Sequence, residues 1–157
     1  MTRILIVDSN GPGLPALGPG FAAVLQKLSG SITCSLCAPY LGQALPDEVF
    51  DGVVFTGSAV AWCVDAPEGQ ALRDIWRQVT RRQVPIWGSC NGLQLAAFML
   101  GGICAASPRG HEQGLAEPIT LTDLGPEPPM IQGRASPYRV PCVLRDEGQP
   151  PPTRPVP

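Results

Sequence analysis

Val84-Pro85-Ile86-Trp87-Gly88-Ser89-Cys90-Asn91-Gly92-Leu93-Gln94 is the stretch whose reading decides the fold. Val84 to Trp87 is short and apolar, the pattern of a buried strand. Gly92 to Leu100 has the spacing of a helix, stopped by Gly101-Gly102. Between them, Gly88-Ser89-Cys90-Asn91-Gly92 has the form G-x-C-x-G. The serine version of this spacing places a nucleophile on a sharp strand-to-helix turn. Glycines are required there because a tight turn brings neighbouring backbone too close for a Cβ. The turn lifts the sulfur above the sheet and sets it at a helix N-terminus, where unpaired N–H groups favour thiolate. The N–H that follows the nucleophile, on Asn91, is aimed where a developing oxyanion needs a donor. Cys90 is therefore the first candidate functional residue.

Outward from this turn the chain alternates strands with helices. Ile4–Val7, Ser31–Cys37 and Val53–Thr56 read as strands, and Phe21–Leu28 and Pro67–Arg82 as helices. In the second helix Leu72, Ile75, Trp76 and Val79 form an apolar stripe. The alternation predicts an α/β fold with a mainly parallel sheet and flanking helices. Ligands of such sheets bind at the carboxyl ends of the strands. Gly57-Ser58 and Gly88 to Gly92 fall at such ends. Beyond Ile103 the pattern changes, with strand-like Ile119–Thr122 and Arg139–Leu144 between proline-rich turns. From Gly148 the chain is proline-rich and reads as a disordered or extended tail.

The chain has 157 residues, 44% hydrophobic and 15% charged, enough for one domain with a real core. A net charge of -2 predicts no attraction to nucleic acid or an anionic membrane surface. No apolar stretch approaches a membrane span or a signal-peptide core, so the expected location is cytoplasmic. The six cysteines read mostly as small buried hydrophobes. Cys34-Ser35-Leu36-Cys37 lies within a strand-like run and reads as two buried or edge thiols, not a redox pair. A lone CxxC and a single histidine predict no metal site. Nothing in the sequence calls for a cofactor.

Asp51-Gly52-Val53-Val54-Phe55-Thr56-Gly57-Ser58 and Gly88 to Gln94, in this order, are similar to two motifs of class I (triad-type) glutamine amidotransferases. Arg109-Gly110-His111-Glu112-Gln113-Gly114-Leu115, Ile119–Thr122 and Pro129 to Arg134 resemble the connecting region of stand-alone members related to the GMP-synthase glutaminase domain. The resemblance implies a flavodoxin-like α/β domain over residues 1–147, followed by the tail at 148–157. It implies that Cys90 attacks the side-chain amide of glutamine, releasing ammonia and forming a γ-glutamyl thioester that water converts to glutamate. Backbone N–H groups of Gly57 and Asn91 match the oxyanion donors, and Gln94 and Ser58 match substrate-binding positions. The ammonia would pass to an acceptor or synthase partner outside these residues.

One part of the pattern is absent. The family's base is a histidine oriented by a glutamate in a His-Pro-Glu segment, which this sequence lacks. Leu144 stands where a related stretch carries histidine. The domain is thus expected to be C-terminally incomplete and its turnover impaired. His111 reads as a loop histidine, not a substitute base. Two other readings remain open: a non-catalytic binding relative, and a different cysteine hydrolase, of γ-glutamyl conjugates or of the PfpI type.

Overall fold

The computed structural model describes residues 1–108, 110–116, 118–120, 132–133 and 136–149. These fall into two compact units, Met1–Ala105 with the chain from Asp146, and Ala106–Arg145.

The first unit is built on β1 (Thr2–Val7), β2 (Ile32–Cys37), β3 (Gly52–Phe55) and β4 (Ile86–Gly88), in the order β2-β1-β3-β4. Every neighbouring pair is parallel. The chain starts in the middle of the sheet, steps to one side, and returns to the other. This is the flavodoxin-like order, and its crevice opens where the order reverses, at the carboxyl ends of β1 and β3. Leu5, Ile6 and Val7 of β1 are all fully buried, as is Phe55 of β3. Consecutive strand side chains point to opposite faces, so a run of buried residues means that both faces are covered.

Helices α1 (Gly18–Leu28), α2 (Gln70–Thr80) and α3 (Asn91–Met99) alternate with these strands, as expected. The α2 stripe is buried: Leu72, Ile75, Trp76 and Val79 join the core, with the Trp76 ring 5.3 Å from that of Phe55. Each such side chain contributes about 1.5–3 kcal/mol by leaving water. Buried Arg73 on the same helix donates to the carbonyls of Val64 and Ala66 and to Gln70 Oε1, fastening the segment before α2 onto it.

Several boundaries differ from the sequence expectation. Helix α1 begins at Gly18, not Phe21, because Asp8 Oδ2 accepts the N–H groups of Leu17 and Gly18, both at 2.7 Å. This carboxylate is a helix cap supplied from the end of β1, invisible to a local pattern. Pro67–Gly69 forms a separate 3-10 turn ahead of α2. The fourth strand starts at Ile86 instead of Val84. Pro85 has no N–H for the ladder; only its carbonyl joins, accepting Val53 N–H at 2.9 Å.

Past α3, β5 (Ile103–Ala106) and β8 (Asp146–Gln149) form a two-stranded sheet. In the second unit β6 (Glu112–Leu115) and β7 (Pro141–Leu144) pair antiparallel, with Glu112 opposite Leu144. β5, β6 and β8 escaped the sequence reading because each is short and finds its partner far along the chain. Ile119 makes one bridge, to Tyr138. Residues 121 and 122 of the expected strand, and residues 109, 129–131 and 134 of the connecting region, lie outside the described residues. β8 takes in Gly148 and Gln149, where the tail was expected to begin, and residues 150–157 lie outside the described residues. Among the described residues no helix is long and apolar enough to cross a membrane.

Candidate functional site

The elbow after β4 is held by main-chain bonds to β3. Ser89 N–H donates to the Phe55 carbonyl at 3.0 Å, and Gly92 N–H to the Thr56 carbonyl at 3.2 Å. The Cys90 carbonyl accepts from Leu93 and Gln94, both at 3.0 Å, and so starts α3. Cys90 itself has φ 50° and ψ -107°, a backbone conformation that side chains with a Cβ rarely adopt. Such strain costs on the order of 1–3 kcal/mol and persists only where the surroundings enforce it.

Both motif glycines are explained by contact. A Cβ on Gly88 would lie 2.4 Å from the Gly92 carbonyl carbon, and one on Gly92 would lie 2.5 Å from the Phe55 carbonyl oxygen. Both clashes are with backbone, which has little room to yield. The turn is therefore closed only because neither residue has a side chain.

The loop after β3 runs beside Cys90. A Cβ on Gly57 would be 3.4 Å from Cys90 Cβ and 4.0 Å from its Sγ. Among the described residues, no protein group accepts the N–H of Gly57 or of Asn91. The arrangement thus offers a thiol, a neighbouring glycine backbone and two N–H groups with donor capacity to spare.

The other site residues expected from the sequence have defined engagements. Ser58 Oγ donates to the Ser9 carbonyl at 2.6 Å and contacts Asn10 Oδ1 at 3.2 Å. Gln94 is buried, and its Nε2 donates to the Asp146 carbonyl at 2.6 Å, tying α3 to β8. Asp146 Oδ2 also receives Cys63 Sγ at 3.3 Å. Trp62 lies over Gly11 and meets the Tyr40 ring edge-on at 5.4 Å. Burial pushes the Tyr40 phenol above its ordinary range.

Cys34 and Cys37 sit three residues apart on one strand and so face opposite sides of the sheet. All six cysteines are free thiols. Burial raises the pKa of both Cys34 and Cys37, the opposite of what a reactive pair requires. Among the described residues no three metal-ligating side chains gather. His111 belongs to the second unit, immediately before β6, whereas Cys90 belongs to the first.

Asp8, Asn10 and Asp146 were not singled out by sequence reasoning. In the sequence Asp8-Ser9-Asn10 is the polar stretch that follows the apolar run Ile4–Val7. The available signal was its place, polar residues at the carboxyl end of the central strand of a parallel sheet.

No family model and no curated sequence matches the chain. Solved structures do. A glutamine amidotransferase from Thermotoga maritima superimposes with a TM-score of 0.71 at 19% identity, over 96% of this chain and 63% of its own. A candidate GMP synthase subunit from Thermoplasma acidophilum gives 0.67 at 20% identity, over 94% and 67%. A glutamine amidotransferase from Methylobacillus flagellatus gives 0.61 at 20% identity, over 96% and 58%. The chain thus has the class I glutamine amidotransferase-like fold and spans about 63% of the first of these structures.

Proposed function

We propose that this chain is a glutaminase domain of the class I amidotransferase type, with Cys90 as its nucleophile. The observation that supports this most is the strained Cys90 backbone at the head of α3, with the Gly57 backbone so near that a Cβ there would touch the Cys90 side chain. Backbone outliers of this kind cluster at working sites.

In the proposed reaction the Cys90 thiolate attacks the side-chain carbonyl carbon of glutamine, and the carbonyl electron pair moves onto oxygen. The N–H groups of Gly57 and Asn91 stabilise that oxyanion, an effect worth roughly 10²–10³-fold per donor. Collapse expels the amide nitrogen, which takes up a proton and leaves as ammonia. Water then attacks the γ-glutamyl thioester, giving glutamate and regenerating the thiolate. The likeness to a candidate GMP synthase component supports a synthase as the destination of the ammonia.

Both proton transfers need an acid–base group. The only imidazole in these 157 residues is His111. General acid–base catalysis is typically worth about 10²–10⁴-fold. These residues by themselves are therefore expected to acylate and deacylate slowly. One observation favours the second reading, a relative that binds without turnover: Gln94 Nε2 is already occupied by the Asp146 carbonyl.

The test is ammonia release from glutamine, measured beside Cys90→Ala. Slow release that disappears in the variant supports the proposal. Equal release from both proteins rejects Cys90 as the nucleophile.

A further inference from the structure

We infer that Asn10 is a positioning residue for the oxyanion loop, an inference that rests on the glutaminase reading above. Asn10 follows β1, and the Gly57 loop follows β3, so the two meet at the point where the sheet order reverses. Asn10 is 5% exposed. Its Oδ1 accepts the Ala59 N–H at 2.9 Å and lies 3.2 Å from Ser58 Oγ. Its Nδ2 donates to the Pro15 carbonyl at 2.7 Å, and its own N–H donates to Asp8 Oδ1 at 3.0 Å. Asp8 in turn caps α1 through Leu17 and Gly18. The Asn10 amide is thus oriented from both ends, and its oxygen is aimed at the two residues that follow Gly57.

The consequence follows from the Gly57 geometry. The Gly57 backbone passes close enough to Cys90 that a Cβ there would stand within van der Waals range of its side chain. Its N–H serves an oxyanion only if the loop keeps that position within a fraction of an ångström. One main-chain and one side-chain bond hold the β3 side: Thr56 N–H donates to the Val7 carbonyl at 3.0 Å, and Thr56 Oγ1 accepts Ser9 N–H at 2.9 Å. On the far side of Gly57, the hold comes from Asn10 together with the Ser58–Ser9 bond. Asn10 does not touch the reacting atoms; it fixes the donor that does.

The experiment compares two alkylations of Cys90, each followed by mass spectrometry of the peptide that contains it. The first reagent is a glutamine analogue in which a chloroketone replaces the amide. The thiolate forms a C–S bond as chloride leaves, after the carbonyl has used the oxyanion donors. The second is iodoacetamide, which needs neither glutamine recognition nor an oxyanion site. The ratio of the two rates reports on the loop and corrects for general changes in thiol exposure.

In Asn10→Ala the ratio is expected to fall at least about tenfold, as part of one donor's contribution is lost. Asn10→Asp keeps an oxygen for Ala59 and Ser58 while losing the bond to Pro15, and should keep the ratio within about threefold of the original. Asn10→Ser, too short to reach Ala59, replaces the alanine variant if that one does not fold, and the same fall is expected. An unchanged ratio in the alanine or serine variant overturns the inference, as does an aspartate variant as slow as alanine. Failure of the unmodified protein to react with the chloroketone at Cys90 instead overturns the glutaminase reading.

Discussion

Replacing Gly92 by alanine tests the elbow with one methyl group. That carbon would sit 2.5 Å from the Phe55 carbonyl oxygen and 2.8 Å from Phe55 Cβ, where ordinary contact begins at 3.4 Å. Relief requires α3 and the end of β3 to separate by about 0.9 Å along that direction. Phe55 is fully buried in the core and cannot retreat without disturbing Trp76 beside it. The first turn of α3 must therefore move. The Gly92 N–H bond to the Thr56 carbonyl, already 3.2 Å, is the first to break. Overpacking of this kind costs about 1–3 kcal/mol. The functional cost is larger, because the movement carries Cys90 and the Asn91 N–H away from Gly57. A misplacement near 1 Å can lower rate on the order of 10²-fold. The assay is chloroketone labelling of Cys90 below the unfolding transition, together with a urea titration. Unchanged labelling and an unchanged midpoint in Gly92→Ala would refute the claim that the elbow closes on a missing side chain.

Two further outcomes follow from the same structure. Gly20 lies in the first turn of α1, and a Cβ there would meet nothing within 4 Å. Gly20→Ala should raise stability by about 0.5–1 kcal/mol through lower unfolded-state entropy, read from a urea midpoint. The Cys37 thiol is raised above its ordinary value of 9.0 by burial, so the folded state favours its neutral form. Its contribution is constant below pH 9.0 and is lost as pH rises through the folded pKa, because the unfolded thiol ionises first. Stability should therefore fall above that pH, with Cys34 and Tyr40 adding to the slope in the same direction, and Cys37→Ala should make the fall shallower. Urea unfolding at a series of pH values checks this, and a slope identical in the variant would rule Cys37 out as a source.

The sequence by itself determined the layered architecture and the strand-to-helix turn that carries Cys90. Both are written in local pattern. The apolar runs of β1 and β3 announce strands covered on both faces. The stripe through Leu72, Ile75, Trp76 and Val79 announces the buried face of α2. The glycines two positions either side of Cys90 announce a turn too tight for side chains, and the contacts of Gly88 and Gly92 give the reason.

Only the tertiary structure decided how the site is held. Asp8 caps a helix that starts ten residues later, Asn10 reaches a loop forty-nine residues away, and Gln94 ties its amide to a carbonyl fifty-two residues away. No periodicity records such bonds. The Asn10 bond exists because a parallel sheet brings the carboxyl ends of β1 and β3 together, and all three exist because buried polar groups must find partners wherever the fold has placed them. The short strands β5, β6 and β8 were hidden for the same reason, since pairing with a distant strand, not local propensity, makes them strands.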